Sequence, residues 1–465
     1  MFDAVTSLIN QNPADVRIAG TAAVAAMSCA LPGVWLVLRR HSMMGDALSH
    51  TALPGVVLAF LAVHGMESAG WVDPVSGSAA LHLVLFLGAV LLGVLTSLIT
   101  EWVQKLGRVE SGAALGVVFT WFFALGLLLL VLFADDVHID PDCVLFGLLE
   151  NVAWESGIPG AARVNGAALL INLVLMLLFY KELKVAAFDP SLATSLGINA
   201  RVMHYALMAA TAVTVVAAFE TVGVILVIGL LIAPAAAASL LTRRLAPMIA
   251  LSLVIAAAAG ILGHLAARTL PALIFPRIGF PEVEDVQTSG MVAVVAALLF
   301  VAAWIFAPRH GLLGTAVAQV RINLEIAADD LLGLLYRLEE RHQTETTALA
   351  PALVGQKRGL GKWLTYMVVG HLRRKQFVAA NGDGLRLTSK GQRRARKLVR
   401  FHRLWESYLE KHFALPADHL HAPAHRVEHY IDEELGEELA SELESPAEDP
   451  HGRAIPPSPQ EGEPE

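Results

Sequence analysis

Residues 222–241 read VGVILVIGLLIAPAAAASLL, twenty consecutive positions without a charged side chain. The hydrocarbon core of a bilayer is about 30 Å thick, and a helix of roughly 20 apolar residues crosses it. The stretch therefore predicts a transmembrane helix. The whole chain has a similar character, since 55% of its 465 residues are hydrophobic and only 16% are charged. This composition excludes an ordinary soluble globular protein.

Further apolar segments of similar length fill the chain up to about residue 310, and together they predict a polytopic membrane protein. The nine predicted spans are residues 17–38, 45–64, 80–100, 112–134, 164–180, 203–219, 221–241, 246–270 and 288–307. Only the tripeptide Phe-Glu-Thr lies at the junction of the sixth and seventh spans, so a broken or re-entrant helix is an alternative there.

Lysine and arginine residues predict the orientation, because they are enriched in cytoplasmic loops. With the N-terminus outside, the inner side holds ten of these residues near the spans and the outer side holds four. The opposite orientation reverses this ratio. We therefore expect a multi-pass protein of the bacterial cytoplasmic (inner) membrane, with the N-terminus outside and the C-terminal region in the cytoplasm.

From about residue 320 the composition changes to that of a soluble domain. The segment EIAADDLLGLLYRLEERH (325–342) has an apolar stripe at helical spacing with charges opposite. Further helices are predicted at 361–378, 389–412 and 422–443, and FVAANGDGLRLTS (377–389) predicts a β-hairpin or wing. We expect four parts: a membrane domain (1–315), a winged-helix-like domain (320–400), a helical domain (401–452) and a disordered tail (453–465).

Ionisable groups are costly inside a membrane, so those near the spans are candidates for the transport pathway. Asp46 and His50 are spaced i, i+4, which places them on one helical face, and the pair suits a divalent transition metal. The alternative is that both merely cap or hydrogen-bond in an interfacial turn. Glu220 lies alone between two apolar runs, where it lines a pathway or sits at the outer surface.

The soluble region contains an unusual group of metal-binding residue types. In HAPAHRVEH (421–429), positions 421, 425, 428 and 429 lie at i, i+4, i+7 and i+8, which is one stripe of a helix. Pro423 is tolerated in the first turn if that helix begins at about residue 422. His402 and Glu406 are again spaced i, i+4. Two such helices facing each other would bring together histidines and carboxylates, a mixture that suits manganese, iron or zinc. The alternative is a polar helix face.

Four separated stretches resemble the ABC-3 family of metal-ion permeases, the membrane subunits of bacterial ABC importers for manganese, zinc and iron. They are LRRHSMMGDALSHTALPGV (38–56), LFYKELKVAAFDPSLATSLGI (178–198), the stretch at 222–241 and FAPRHGLL (306–313). The resemblance implies a separate ATPase subunit, an extracytoplasmic metal-binding protein and a homodimer or a heterodimer with a related permease. The chain contains no G-x-x-x-x-G-K-[ST] loop, which agrees with a transport subunit that is not itself an enzyme.

The same resemblance suggests a coupling helix, the short cytoplasmic helix through which ABC importers transmit the motion of the ATPase. FDPSLATSLGI (188–198) lies on the predicted inner side, where Phe188, Asp189 and Pro190 open the segment and Gly197 closes it. A plain amphipathic inner loop is the alternative.

The C-terminal part resembles metal-dependent repressors of the diphtheria-toxin-repressor type. The resemblance rests on DDLLGLLYRLEE (329–340), GLRLTSKGQRRA (384–395), FHRLWESYL (401–409), HAPAHRVEHYIDEEL (421–435) and DPHGRAIP (449–456). It implies two neighbouring metal sites, whose ligands would be Asp330, His402, Glu406, His421, His425, Glu428 and His429. Gly333 stands where manganese-sensing relatives have a glutamate.

DNA binding is disfavoured, although residues 386–403 carry eight lysines and arginines that could contact phosphates. The segment in the place of a recognition helix, GKWLTYMVVGHL (361–372), is apolar where base-reading helices present polar side chains. The basic stripe suits an acidic partner or membrane lipid equally well.

These patterns predict an all-α polytopic membrane protein with about nine spans. A cytoplasmic α+β domain follows, which has a winged-helix-like part and a helical part for metal binding and dimerisation. The predicted function is the permease subunit of an ABC importer for manganese, zinc or iron, with a metal-sensing domain that regulates transport by feedback. The alternative is a membrane-tethered, metal-dependent DNA-binding transcription regulator. A secondary transporter that needs no ATP is a third candidate.

Overall fold

The computed structural model describes residues 13–69, 79–133, 147, 149–280, 282, 285–308, 311–341, 362–381, 384–413 and 415–458. The chain divides into two compact units, Met1–Gly314 and Thr315–Glu465. Most of the predicted tail, from residue 459 onward, lies outside the described residues.

All regular secondary structure among the described residues of the first unit is helical. Its α-helices are Pro13–Leu38 (α1), Met43–Ser68 (α2), Ala79–Gly107 (α3), Ser111–Phe133 (α4), Gly160–Leu178 (α5), Tyr180–Phe188 (α6), Pro190–Ser195 (α7), Ala200–Val222 (α8), Val224–Leu241 (α9), Leu245–Ile274 (α10) and Thr288–Phe306 (α11). Two short 3-10 helices, Leu149–Trp154 and Phe275–Ile278, lie between them.

Eight of the described helices are long and apolar enough to cross a membrane. The remaining apolar helix, α9, has a shorter apolar run, Leu226–Leu241. The predicted number of nine spans is therefore approximate. The predicted class of an all-α polytopic membrane protein is confirmed.

Helix α1 lies at the centre of the first unit. Its side chains are mostly small, and the larger Trp35 is also fully buried. Small residues let membrane helices approach closely, because packing drives their association in lipid. A Cβ added at Gly33 would lie 1.9 Å from the carbonyl oxygen of Leu231 in α9, and one added at Gly260 in α10 would lie 2.5 Å from the backbone nitrogen of Ala23. Glycine is thus required at both contacts.

A single glycine breaks the helix at the junction of the sixth and seventh predicted spans. Helix α8 ends at Val222 and α9 begins at Val224, with Gly223 at φ +86°. This positive φ is a conformation that glycine adopts readily and other residues rarely adopt. A Cβ on Gly147 would lie 2.6 Å from the backbone nitrogen of Gly223, so a second glycine lets the chain pass close to the break. The alternative of a broken helix is therefore the one observed.

The second unit combines helices with one β-hairpin. Its elements are Leu312–Arg341 (α12), Lys362–Arg374 (α13), Val378–Asn381 (β1), Gly384–Leu387 (β2), Ser389–Phe413 (α14), Ala417–Val427 (α15) and Glu433–Glu442 (α16). The strands are antiparallel, and Val378 pairs with Leu387. A core that includes Leu331, Leu335, Val368 and Leu372 joins α12 to α13. Strand β1 begins at Val378, so the helix predicted at 361–378 is too long and ends at Arg374.

The helix predicted at 422–443 is wrong in extent, because the structure contains two helices there. Helix α15 begins at Ala417, five residues earlier than expected, so Pro423 lies in its interior rather than in its first turn. It ends at Val427, and α16 begins after Asp432. The Asp432 side chain accepts a hydrogen bond from the backbone of Leu435 at 2.9 Å, which caps α16 and favours a new helix start.

Candidate metal centre

One group of metal-binding side chains joins α12 to the end of α15. It contains Asp330, His425, Glu428 and His429, each of which offers one ligand atom within 4.8 Å of the others. Nε2 of His425 and Nε2 of His429 both lie 3.4 Å from Oδ1 of Asp330. Nδ1 of His425 lies 2.7 Å from Oε1 of Glu428. We call these four residues the α12 group.

A second group joins α14 to α15 and contains His402, Glu406 and His421. Nε2 of His402 lies 3.1 Å from Oε1 of Glu406, and Nδ1 of His421 lies at the same distance from that oxygen. Nε2 of His402 and Nδ1 of His421 are 2.9 Å apart. We call these three residues the α14 group. Spacing i, i+4 on α14 places His402 and Glu406 on one face, as predicted.

Glu428 contacts residues of both groups. Its Oε1 is the atom close to His425, and its Oε2 lies 2.6 Å from Nδ1 of His402. The carboxylate therefore places one oxygen beside each group. Arg337 of α12 is also near, with a guanidinium nitrogen 3.9 Å from Oε2 of Glu428.

The central members of the centre are deeply buried. His402, Glu406 and Glu428 are 3%, 1% and 2% exposed. Among the described residues, Nδ1 of His402, Oε2 of Glu428 and both ring nitrogens of His429 have no hydrogen-bond partner of good geometry. Buried polar atoms are normally hydrogen-bonded or coordinate a metal, so this donor set fits bound ions.

Electrostatics inside the centre favour ionised carboxylates. Burial opposes ionisation of Glu428, but the close imidazoles of His402 and His425 outweigh it and lower the pKa of Glu428 to about 2. Burial likewise opposes the charged form of His402, yet its contacts with Glu406 and Glu428 raise its pKa. A metal cation would replace the protons that these imidazoles share with the carboxylates.

The donor atoms of the seven candidate ligands limit which metal ions the centre could bind. Imidazole nitrogens and carboxylate oxygens suit zinc, iron and manganese, and ligand atoms bound at about 2.1 Å lie roughly 3 Å apart around an ion. The distances of 2.6–3.4 Å recorded above fall near that spacing. The structure thus brings all seven predicted ligands into two adjacent groups. Their binding of metal stays a prediction.

Sequence reasoning missed one residue near the α14 group. Nε2 of His451 lies 4.0 Å from Oε1 of Glu406. The turn that holds His451 is built by Asp449, whose side chain accepts hydrogen bonds from the backbone of His451 and Arg453 at 2.9 and 2.8 Å. His451 lies in DPHGRAIP (449–456), one of the stretches that resemble metal-dependent repressors, and that resemblance could have identified it.

Gly333, three residues after Asp330 on α12, has no side chain and therefore supplies no ligand. A Cβ there would lie 3.4 Å from Cδ2 of Leu398, an ordinary contact, so backbone packing does not require glycine.

The predicted pathway residues lie in the first unit. On α2, Nε2 of His50 lies 3.2 Å from Oδ1 of Asp46, so the two form the pair expected from their spacing. The imidazole of His50 stacks on Phe119 and meets Phe123 edge-on. Glu220 lies in the last turn of α8. The role of these residues in transport stays a prediction.

The predicted coupling segment folds into the short helix α7. Oδ1 of Asp189 accepts hydrogen bonds from the backbone nitrogens of Ser191 and Leu192, both at 3.0 Å, and Pro190 occupies the first helical position. The hydroxyl of Ser191 and these backbone groups lower the pKa of Asp189. Gly197, at φ +82°, ends the helix. Three apolar side chains on this segment are exposed: Phe188, Leu192 and Leu196.

Two models of protein families match separate parts of the chain, one in each unit. A model of the ABC 3 transport family matches residues 15–307. A second model, described as the iron dependent repressor metal binding and dimerisation domain, matches residues 388–457. The second match contains six of the seven predicted ligands, all except Asp330.

Individual proteins are similar over most of their length. The manganese transport system membrane protein MntD of Bacillus subtilis (strain 168) is 34% identical over 317 residues, which cover 67% of this chain and 98% of that protein. The zinc transport system membrane protein TroD of Treponema pallidum (strain Nichols) is 35% identical over 381 residues, 80% of this chain and 95% of that one. Among solved structures, PsaBC from Streptococcus pneumoniae in complex with Fab matches with a TM-score of 0.52 and 26% identity, over 67% of this chain and 98% of that chain.

Proposed function

The chain belongs to the ABC 3 transport family and carries a C-terminal domain of the iron-dependent-repressor type, and we propose that it is a metal importer regulated by the metal that it imports. In this proposal the first unit is the permease subunit for a divalent transition metal, namely manganese, zinc or iron. The second unit binds the same class of ion in the cytoplasm and regulates transport by feedback.

The observation that carries the sensing role is the buried centre in the second unit. Seven candidate histidine and carboxylate ligands converge there in two groups, and several of their ligand atoms are buried with no hydrogen bond of good geometry among the described residues. A resident ion would supply a positive charge that these carboxylates neutralise. Asp330 would hold it from α12, His402 and Glu406 from α14, and the remaining ligands from α15 and the turn after it.

A site divided among elements can act as a switch. A ligand shifts an equilibrium only if it binds two states unequally. The α12 group requires Asp330 to stay close to His425 and His429, so ion binding favours the state in which α12 is drawn against the α15 segment. We infer that this state lowers transport, because inhibition by internal metal would complete a feedback loop.

The proposal includes three partners. ATP would be hydrolysed by a separate ATPase subunit, against which the exposed apolar side chains of α7 would pack. An extracytoplasmic binding protein would deliver the ion, and a second permease, identical or related, would complete the pathway beside Asp46 and His50. The names of the similar proteins MntD and TroD favour manganese and zinc as cargo.

The test is metal uptake into proteoliposomes that contain the ATPase subunit and the binding protein. Intact chain, chain truncated after residue 315, and full-length chain with His402→Ala and Glu406→Gln would each be measured at low and high internal manganese, zinc and iron. We expect only the intact protein to slow as internal metal rises. Equal slowing of all three forms would refute the sensing role, and uptake without the ATPase would refute the ABC mechanism.

A membrane-tethered transcription regulator is the weaker candidate. Recognition helices read bases with Arg, Asn, Gln, Ser or Thr, whereas the outward face of α13 begins with the aromatic residues Trp363 and Tyr366.

A further inference from the structure

Helix α13 presents an aromatic and basic face that no described element covers. Trp363 and Tyr366 are 75% and 74% exposed, although they are among the largest apolar side chains of the second unit. Residues 363, 366, 370, 373 and 374 lie within about 100° of one another on a helix of 3.6 residues per turn. The same face therefore begins with two aromatic rings and ends with Arg373 and Arg374.

The opposite face of α13 already has its partner within the unit. Val368, Val369 and Leu372 are buried in the core with α12 and β2, and Thr365 is also buried. The exposed aromatic rings are therefore not a part of this core. Large exposed apolar groups on a folded unit mark a surface that meets another molecule or a membrane.

The segment that contains this face is rich in basic residues. Residues 362–397 contain ten lysines and arginines and one acidic residue, Asp383, although Lys375, Arg394 and Lys397 pair with Glu325, Asp329 and Glu433 outside the segment. Arg373, Arg374, Arg386 and Lys390 are exposed, and the first three form no ion pair with any residue that the structure describes. An excess of positive charge attracts an anionic surface.

We propose that this face of α13, which ends in Arg373 and Arg374, docks on the anionic headgroup layer of the bilayer in which the chain is embedded. Tryptophan and tyrosine prefer the headgroup level, because one end of each ring system is apolar and the other is polar. Lysine and arginine extend their apolar stems along such a surface while their charges reach anionic lipid. The second unit is covalently joined to the membrane-spanning helices, so a bilayer is always present in the same assembly.

This inference goes beyond the proposed sensing of metal and does not depend on it. It requires only that the chain is anchored in a bilayer, and the α12 and α14 groups have no part in it. Helix α13 thus contacts lipid, although it occupies the place of the helix that reads DNA in a repressor.

The test uses the full chain in lipid nanodiscs with a fluorophore that reports water contact. Tyr366→Cys would be labelled in a Cys143→Ser background, in which the remaining Cys29 is fully buried. Tyr430→Cys is the matched control, because Tyr430 is 71% exposed in the same unit but lies in the turn after α15. Discs of phosphatidylcholine alone would be compared with discs that also contain phosphatidylglycerol.

We expect the label at 366 to shift to shorter wavelength and to become several-fold less accessible to iodide in the anionic discs only. The label at 430 should respond equally in both discs. Arg374→Glu should reduce the protection at 366, whereas Arg426→Glu, at another exposed arginine, should leave it unchanged.

Three results would overturn the inference. They are an unprotected label at 366 in both discs, protection that is the same with neutral and anionic lipid, and protection that appears only when duplex DNA or the ATPase subunit is added. The last result would assign the face to a nucleic acid or protein partner instead.

Discussion

Glu428 contacts both groups of candidate metal ligands. Its two oxygens face different groups, one toward His425 and the other toward His402. Replacing it with glutamine keeps the shape of the side chain and removes its charge. We therefore expect Glu428→Gln to weaken manganese binding by at least about 10- to 100-fold, the range seen for residues that support metal ligands.

Metal titration of the purified full chain would measure this effect. Glu438→Gln is the control, because Glu438 lies exposed on α16 and contacts neither group. If Glu428→Gln and Glu438→Gln bind manganese as tightly as the unchanged chain, Glu428 is not a ligand.

Glu340 provides a pH-dependent contribution to the stability of the second unit. Its carboxylate accepts two hydrogen bonds from the buried guanidinium of Arg403, at 3.0 and 2.6 Å, and this contact lowers the pKa of Glu340. A carboxyl whose pKa is lower in the folded state stabilises the fold at pH values above its unfolded pKa. That contribution disappears as the pH falls through the folded pKa.

We therefore expect Glu340→Gln to destabilise α14 by about 1 kcal/mol or less at pH 7, since Glu340 is partly exposed and screened by solvent. The difference from the unchanged chain should vanish in acid. Hydrogen exchange of residues 389–413 in the full chain, measured at several pH values, would show it. Glu339→Gln is the neighbouring control, and a deficit that grows toward acid pH would contradict the assignment.

At the scale of elements, helix α1 offers a direct test of close packing in the membrane unit. A Cβ at Gly33 would clash with the backbone of Leu231, whereas a Cβ at Gly20 on the same helix meets nothing within 4 Å. Gly33→Ala should therefore destabilise the unit by about 1–3 kcal/mol, the usual cost of overpacking. Gly20→Ala should be neutral or slightly stabilising.

The buried thiol of Cys29 reports unfolding of α1. In a Cys143→Ser background, a thiol-reactive dye should label Cys29 at a lower temperature in Gly33→Ala than in Gly20→Ala. Identical labelling temperatures would show that α1 and α9 do not approach as closely as the structure has them.

The exposed apolar side chains of α7 make the coupling role of that helix testable. Leu192→Glu places a charge on the surface that would pack against the ATPase, and because Leu192 is exposed the fold should tolerate it. We expect this variant to lose most of its ATP-dependent uptake, while Leu435→Glu on α16 retains it. Unchanged uptake by Leu192→Glu would separate α7 from coupling.

At the scale of the whole molecule, the distribution of lysine and arginine predicts the side on which the second unit lies. A protease site placed after residue 458 should be cleaved in inside-out vesicles and protected in sealed right-side-out cells. Cleavage from the outside of intact cells would reverse the orientation and with it the proposal that the unit senses internal metal.

Much of the metal centre could be predicted because ligand residue types are visible in the sequence. The i, i+4 spacing of His402 and Glu406 predicts a shared helix face, and the structure places both on one face of α14. The spacing of residues 421–429 predicts one continuous helix, which is wrong because α15 ends at Val427. The ligands converge nonetheless, since the turn at 428–432 redirects Glu428 and His429 toward α12 and α14.

Local patterns in the sequence are enough to establish the class of the molecule, because twenty apolar residues without charge satisfy their own backbone in a membrane-spanning helix. The candidate ligands are also visible as residue types. The fold alone shows which of them share a group, that Glu428 contacts both groups, that His451 lies beside Glu406, and that Gly223 divides α8 from α9. Those facts depend on contacts between residues far apart in the chain, and no local pattern of hydrophobicity or charge specifies them.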